Sequence, residues 1–226
     1  DKPEYLLILA GDHIYKMNYA DMYNFLVEKQ ADAVVGAIET PLEDASRFGV
    51  IGVDEDHRIL RFDEKPANPT PIPTDSSQAF VSMGIYLFKK EVLRELLATH
   101  ESAVDFGREI IPAAIENFNV QAYLFTGYWE DIGTIKAFYK ANLEMTRPLP
   151  VFNFFDAEAP IYTRPRFLPG SKIMNSNIVS SIITEGCIIN ESRIMNSILG
   201  IRARIESGSV LEDTLMMGAD FYQTLD

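Results

Sequence analysis

The sequence predicts an α/β protein in two parts, an open sheet crossed by helices and then a parallel β-helix. Three observations lead there. The chain opens with a strand–helix–strand pattern. It closes with aliphatic residues at a six-residue period, and a proline-rich stretch divides the two textures. Alternating strands and helices signal an open α/β sheet, and a sustained hexapeptide period signals stacked β-coils.

The elements follow in order. Leu6-Leu7-Ile8-Leu9-Ala10 is an apolar run ending in Gly11-Asp12, which reads as a buried parallel strand with a carboxylate at its C-terminal end. Tyr19, Met22, Tyr23, Leu26 and Val27 repeat at helical spacing. Ala33 to Ile38 is the next strand and completes a βαβ unit. Val50–Val53 and Ile59–Phe62 flank a polar turn and read as a hairpin, and Phe80–Phe88 is long enough to cross a sheet. Helices over about 90–99 and 106–117, a strand over 120–126 and a helix from Gly133 to about Met145 complete the first part. Prolines 148, 150, 160, 165 and 169 mark an ordered linker. Beyond it Ile182, Ile188 and Ile194, then after a slip Leu199, Ile205, Leu211 and Met217, place aliphatics inward around small or polar corners.

Composition narrows the function. The 226 residues carry a formal charge of −13, which argues against a nucleic-acid backbone or an anionic membrane as partner. The single cysteine, Cys187, lies among isoleucines and reads as a buried inert thiol, so no intrachain disulfide framework is possible. No apolar stretch has the length of a bilayer span, and the expected setting is intracellular.

Several residues are candidates for chemistry. Asp12 and Asp131 each end an apolar or aromatic strand, and two such carboxylates suit a hard divalent cation such as Mg²⁺; taken singly, each is more often a turn residue or a helix cap. Lys65, in Phe62-Asp63-Glu64-Lys65-Pro66, offers an ammonium for a sugar phosphate, with Glu64 beside it for hydroxyls, or else is a solvated turn lysine. Ser82 and Gly84 interrupt a strand with small residues that permit close ligand approach or merely relieve packing. Asp105 is a helix N-cap or an acceptor for sugar hydroxyls, and Trp129 is a core residue or a platform for a sugar ring. His13 reads as a support for the strand-end geometry, and His57 and His100 as surface-loop residues. No nucleophile–base pair, metal-spaced Cys/His set or basic stripe occurs.

Taken together, Ala10-Gly11-Asp12-His13-Ile14-Tyr15, Phe48-Gly49-Val50, Asp63-Glu64-Lys65-Pro66, Ser82-Met83-Gly84-Ile85-Tyr86, Asp105-Phe106-Gly107, Trp129-Glu130-Asp131-Ile132-Gly133-Thr134 and Met217-Gly218-Ala219-Asp220 resemble the sugar-nucleotide pyrophosphorylases. Their order and spacing are most similar to the ADP-glucose pyrophosphorylases. The resemblance implies a Rossmann-like nucleotidyltransferase sheet over residues 1–146, a linker over 147–170 and a left-handed parallel β-helix over 171–226. It implies that Asp12 and Asp131 hold Mg²⁺ and that Lys65 binds the phosphate of glucose 1-phosphate. Gly49, Glu64, Ser82, Tyr86, Asp105, Phe106 and Trp129 would complete the sugar pocket. It further implies ATP as the second substrate, ADP-glucose and pyrophosphate as products, and a homotetramer or a heterotetramer with a paralogous subunit in the cytoplasm or a plastid. A relative using UTP or dTTP, and a non-catalytic regulatory subunit of the same fold, stay open as alternatives.

One departure accompanies the resemblance. The family's glycine-rich loop precedes the strand that ends in Gly-Asp, and residues 1–226 contain nothing like it. The sequence therefore reads as an internal fragment with an incomplete sheet, expected to fold poorly and to make no ADP-glucose when expressed alone.

Overall fold

The computed structural model of the chain describes residues 3–222. It separates into two compact units: the chain up to Gly11 with Lys16–Trp129, and Asp12–Tyr15 with the chain from Glu130 onward. This division assigns the helix after Gly133 to the same unit as the β-helix, whereas the sequence reading placed it before the linker.

The first unit is built on β1 (Tyr5–Leu9), α1 (Tyr19–Glu28), β3 (Ala33–Pro41), α2 (Leu42–Ala45), β4 (Gly49–Val53), β5 (Ile59–Glu64), β6 (Gln78–Lys89), α3 (Lys90–Thr99), a π-helical turn (Phe106–Ile110), α4 (Ile111–Asn117) and β7 (Val120–Leu124). The second unit contributes β2 (His13–Tyr15). The sheet runs β5-β4-β6-β3-β7, with β1 also on β6. Val34, Val35, Val81, Met83, Ile85 and Phe88 are fully buried, which is why β3 and β6 form its centre.

Only the β3–β7 ladder of this sheet is parallel among the described pairs. β1 pairs antiparallel with β6, and Leu7 and Leu9 are exposed, so the reading of a buried parallel strand is corrected on both counts. An apolar run records hydrophobicity, but neither strand direction nor whether the second edge is covered. β1 and β3 are nonetheless parallel to each other, since both run against β6, which lies between them.

β6 carries the local irregularity that matters most. Val35 pairs with Tyr86 but Ala37 with Ser82, so the single residue Gly36 of β3 faces three residues of β6. Gly84, at φ +67°, makes this bulge possible, and its carbonyl accepts the Ala10 N–H. The bulge bends the strand between Ser82 and Tyr86. The small residues noted in the sequence thus shape the backbone.

β2 pairs with β8 (Trp129–Asp131), of which Glu130 and Asp131 belong to the second unit, and α5 (Ile135–Glu144) follows in that unit. After an irregular stretch come β9 (Lys172–Met174), β10 (Asn177–Val179), β11 (Ile182–Ile183), β12 (Ile188–Asn190), β13 (Arg193–Met195), β14 (Ile198–Leu199), β15 (Arg204–Ile205), β16 (Val210–Glu212) and β17 (Leu215–Met216). They form three parallel sheets, β10-β13-β16, β11-β14-β17 and β9-β12-β15, the three faces of a parallel β-helix.

Registers stack Ile173, Ile189 and Ile205 on one face, Ile178, Ile194 and Leu211 on the second, and Ile183, Leu199 and Met216 on the third. Ile194, Leu199, Ile205 and Leu211 point inward as the period predicts; Ile182, Ile188 and Met217 do not, and their neighbours Ile183, Ile189 and Met216 take those places. At each of these positions two aliphatics are adjacent, and a mean period cannot choose between them. Corners at Ser180, Asn196 and Asp213 adopt left-handed φ of 47°, 44° and 46°. Corner hydroxyls bond from coil to coil, the Ser197 N–H to Ser181 Oγ and the Thr214 N–H to Ser197 Oγ, both at 3.1 Å. Cys187 is buried, as its isoleucine neighbours imply. Helix α5 docks on a corner column through Thr146 Oγ1 to Asn196 Oδ1 at 2.7 Å and Tyr139 Oη to the Asp213 carbonyl. Among the described residues no helix is long and apolar enough to cross a membrane.

Candidate functional site

Within the first unit, β4, β5, β6 and the π-helical turn bring one set of predicted residues together. Strand β5 ends at Glu64, and its partner register is Gly49. Tyr86 is buried, its ring stacked on Phe106 with centroids 5.7 Å apart and planes 14° from parallel. Burial pushes the Tyr86 phenol above its ordinary value of 10.0; a hydrogen bond with Ser82 opposes this, and the Glu64 and Asp105 carboxylates reinforce it. One hydroxyl thus lies within the influence of a serine and two carboxylates, on an aromatic floor.

The π-helical turn is capped at Asp105. Its Oδ1 accepts the Arg108 N–H at 2.9 Å, while Glu109 Oε2 reaches back to the N–H groups of Val104 and Asp105 at 2.8 and 3.0 Å. This reciprocal arrangement is a capping box displaced by one residue, as the wider helical turn demands. Asp105 is therefore an N-cap, and its carboxylate also acts on Tyr86.

Lys65 follows β5 with its side chain 59 % exposed and its backbone at φ +49°. A non-glycine residue there costs roughly 1–2 kcal/mol, and such conformations cluster at functional sites. The Lys65 N–H donates to the Phe48 carbonyl at 3.0 Å. The Phe48 ring meets Trp129 edge-on, 5.2 Å between centroids, and the Arg47 guanidinium lies 5.3 Å from its centre. Trp129 and Lys65 are thus tied to the same phenylalanine.

The second unit holds the other set. Asp12, 62 % exposed, and Asp131 place oxygens within 4.8 Å of each other and of a His13 ring nitrogen. His13 Nε2 lies 3.5 Å from Asp12 Oδ1. The Ile132 N–H donates to the Asp12 carbonyl at 3.0 Å, and the Gly133 N–H to Asp131 Oδ1 at 2.7 Å. Both carboxylates sit over Gly133: a β-carbon there would lie 2.9 Å from Asp131 Oδ1 and 3.3 Å from Asp12 Oδ2. Asp131 does not cap α5, since Thr134 accepts the Ala137 N–H instead. Two carboxylates over a bare glycine, Asp12 exposed and Asp131 half-buried, suit a hard oxygen-seeking divalent cation.

The predicted residues thus fall into two groups: Gly49, Glu64, Lys65, Ser82, Tyr86, Asp105, Phe106 and Trp129 in one unit, Asp12 and Asp131 in the other. Sequence reasoning placed His13 as a support, and the structure adds its ring to the carboxylate cluster. It assigned no role to Phe48, Gly107 or Gly133, whose contacts arise only from folding. His57 does lie in the loop between β4 and β5, but half-buried rather than at the surface: it takes φ +65°, and its carbonyl accepts the Ala122 N–H.

A nucleotidyl transferase family model matches residues 1–147, and a model described as the GLGC left-handed parallel β-helix domain matches residues 166–226. The chain belongs to the nucleotidyl transferase family and, by the helix domain joined to it, to the ADP-glucose pyrophosphorylase branch. Its parallel β-helix is accordingly the left-handed kind.

Proposed function

We infer that this chain transfers the adenylyl group of ATP to α-D-glucose 1-phosphate, giving ADP-glucose and pyrophosphate for glycogen or starch synthesis. The observation that carries the reading is the convergence of Glu64, Ser82 and Asp105 on Tyr86 above the Phe106 ring, with Lys65 next to Glu64 in the chain. Hydroxyl acceptors around an aromatic floor suit a hexose, and one exposed ammonium suits its phosphate.

In this reading Glu64 and Asp105 accept sugar hydroxyl protons, and Ser82 and the protonated Tyr86 order the pocket. Phe106 and Trp129 supply apolar surface for the ring, and the bare Gly49 keeps the pocket open beside Glu64. Lys65 holds the sugar phosphate. Asp12 and Asp131 would hold Mg²⁺, with His13 orienting Asp12; the ion, when bound, neutralises phosphate charge.

A phosphate oxygen of glucose 1-phosphate forms the new bond to the α-phosphorus of ATP. The α–β bridging bond breaks, and pyrophosphate leaves with the electron pair. No enzyme nucleophile or proton transfer is required, which matches the absence of a nucleophile–base pair in the sequence. The assembly this reading implies is a homotetramer, or a heterotetramer with a paralogous subunit.

The test is pyrophosphate release by the full-length protein with glucose 1-phosphate and ATP, UTP or dTTP in turn. The highest kcat/KM is expected with ATP. A higher value with UTP or dTTP overturns the nucleotide assignment, and no turnover with any of them marks a non-catalytic subunit.

A further inference from the structure

Gly107, in the π-helical turn, is buried, yet no step above uses it. A β-carbon on it would lie 2.7 Å from Glu64 Oε2 and 3.3 Å from Glu64 Cδ. The backbone is not what calls for glycine: the described glycines at positive φ are Gly84, Gly186 and Gly208. Alanine is therefore allowed there conformationally, and at a helical position it is the better helix former. The Phe62 ring would lie 3.4 Å away, at ordinary contact distance, so the serious objection to a side chain at 107 is the place where the Glu64 carboxylate sits.

Gly49, the other glycine against that carboxylate, behaves differently. Its β-carbon would lie 3.0 Å from Glu64 Oε2 but would also overlap the buried Phe62 ring. A ring in a packed core has nowhere to go, so Gly49 serves the fold as well as the site. At Gly107 the obstacle is the far end of a flexible side chain, 19 % exposed, which can swing aside. A methyl group at 107 would thus spare the fold and move one carboxylate.

We propose that Gly107 is a positioning residue for sugar recognition: its bare Cα is the stop that sets the Glu64 carboxylate where a sugar hydroxyl must be accepted. It acts only through Glu64. The π-helical turn serves both halves of the pocket, since Phe106 lays its ring on Tyr86 and the next residue receives Glu64. This inference rests on the reading of Glu64 as a sugar ligand.

The experiment is a double-mutant cycle in the full-length protein with Gly107→Ala, Glu64→Asp and the pair. Kinetics are run with ATP and whichever sugar 1-phosphate the wild type turns over best, alongside thermal unfolding. Gly107→Ala should unfold at the wild-type temperature or above. Its KM for the sugar phosphate should rise about tenfold or more, with KM for ATP changed less than about twofold. Aspartate withdraws the carboxylate from Gly107, so on that background the alanine should add no further loss. Unchanged kinetics, equal rises in both KM values, or additive losses overturn the proposal. If Gly107→Ala is insoluble, the pair decides: soluble protein upholds the clash with Glu64, and insoluble protein places the fault elsewhere. A wild type that prefers another sugar 1-phosphate sinks the glucose assignment and leaves the cycle readable. A wild type without turnover moves the comparison to calorimetric binding of glucose 1-phosphate, where unchanged affinity in Gly107→Ala overturns the proposal.

Discussion

Phe48 and Lys65 are joined through the main chain, the Phe48 carbonyl accepting the Lys65 N–H at 3.0 Å while the Phe48 ring packs edge-on against Trp129. This bond helps to hold Lys65 at φ +49° after the strand ends. The lysine is thus oriented by a residue that touches no substrate in the proposed reading.

Lys65 separates binding from stability. Lys65→Ala should raise KM for glucose 1-phosphate about ten- to a hundredfold, the worth of a charged hydrogen bond, and leave KM for ATP far less changed. Lys65→Gly should show the same binding loss without loss of thermal stability, because glycine adopts the left-handed backbone freely. Steady-state kinetics and thermal denaturation of both variants check this; an equal effect on both substrates would place Lys65 outside the sugar-phosphate site.

Asp131→Asn in the full-length protein should keep the fold but lower kcat by about 10²–10³, the usual cost of one electrostatic contact in a transition state. Chelation of divalent ions should abolish wild-type turnover, and added Mg²⁺ should restore it in the wild type at far lower concentration than in the variant. Titrations of rate against Mg²⁺ are the measurement, and identical Mg²⁺ dependence would refute the role of Asp131.

Tyr86 carries a pH signature. Its phenol is pushed above the ordinary 10.0 by burial first and then by the Glu64 and Asp105 carboxylates, against the Ser82 hydrogen bond. A raised folded-state value favours the protonated form in the fold. Its contribution is therefore fully present below the unfolded value and is lost as pH rises through the folded one. Chemical unfolding from about pH 8 to about pH 12 should show a steeper alkaline loss for the wild type than for Tyr86→Phe. Parallel curves would mean that the phenol is solvated.

The β-helix register predicts a contrast between two aliphatic residues. Ile189 is 0 % exposed and Met217 is 71 % exposed, although the six-residue period assigned an inward place to Met217 and not to Ile189. Ile189→Ala should cost about 2–5 kcal/mol, and Met217→Ala should stay within about 0.5 kcal/mol. Denaturant unfolding of the two variants distinguishes the inward face from the outward one.

What the sequence determined by itself was the kind and order of most elements and the set of candidate side chains for a site. Helical spacing in Tyr19–Val27 became α1, the hairpin formed at β4 and β5, and the six-residue period became stacked coils. These signals are local: each rests on side-chain periodicity within one element, which any strand or helix must present to its core. The motif residues around Asp12, Glu64, Lys65, Ser82, Asp105 and Asp131 were legible for a related reason, because charged and small residues at strand ends and helix starts stand out against an apolar pattern.

Only the tertiary structure decided direction, register and close approach. It turned the first apolar run into an antiparallel partner of β6, chose Ile189 over Ile188, and placed the bulge that bends β6 between Ser82 and Tyr86. It also seated two carboxylates over Gly133 and the Glu64 carboxylate against Gly107. Each of these depends on which distant segment arrives at a given surface and on whether a single β-carbon would fit between them. Interiors pack at the density of crystals, so a methyl group decides such contacts, and no periodicity within one segment encodes what its neighbour leaves free.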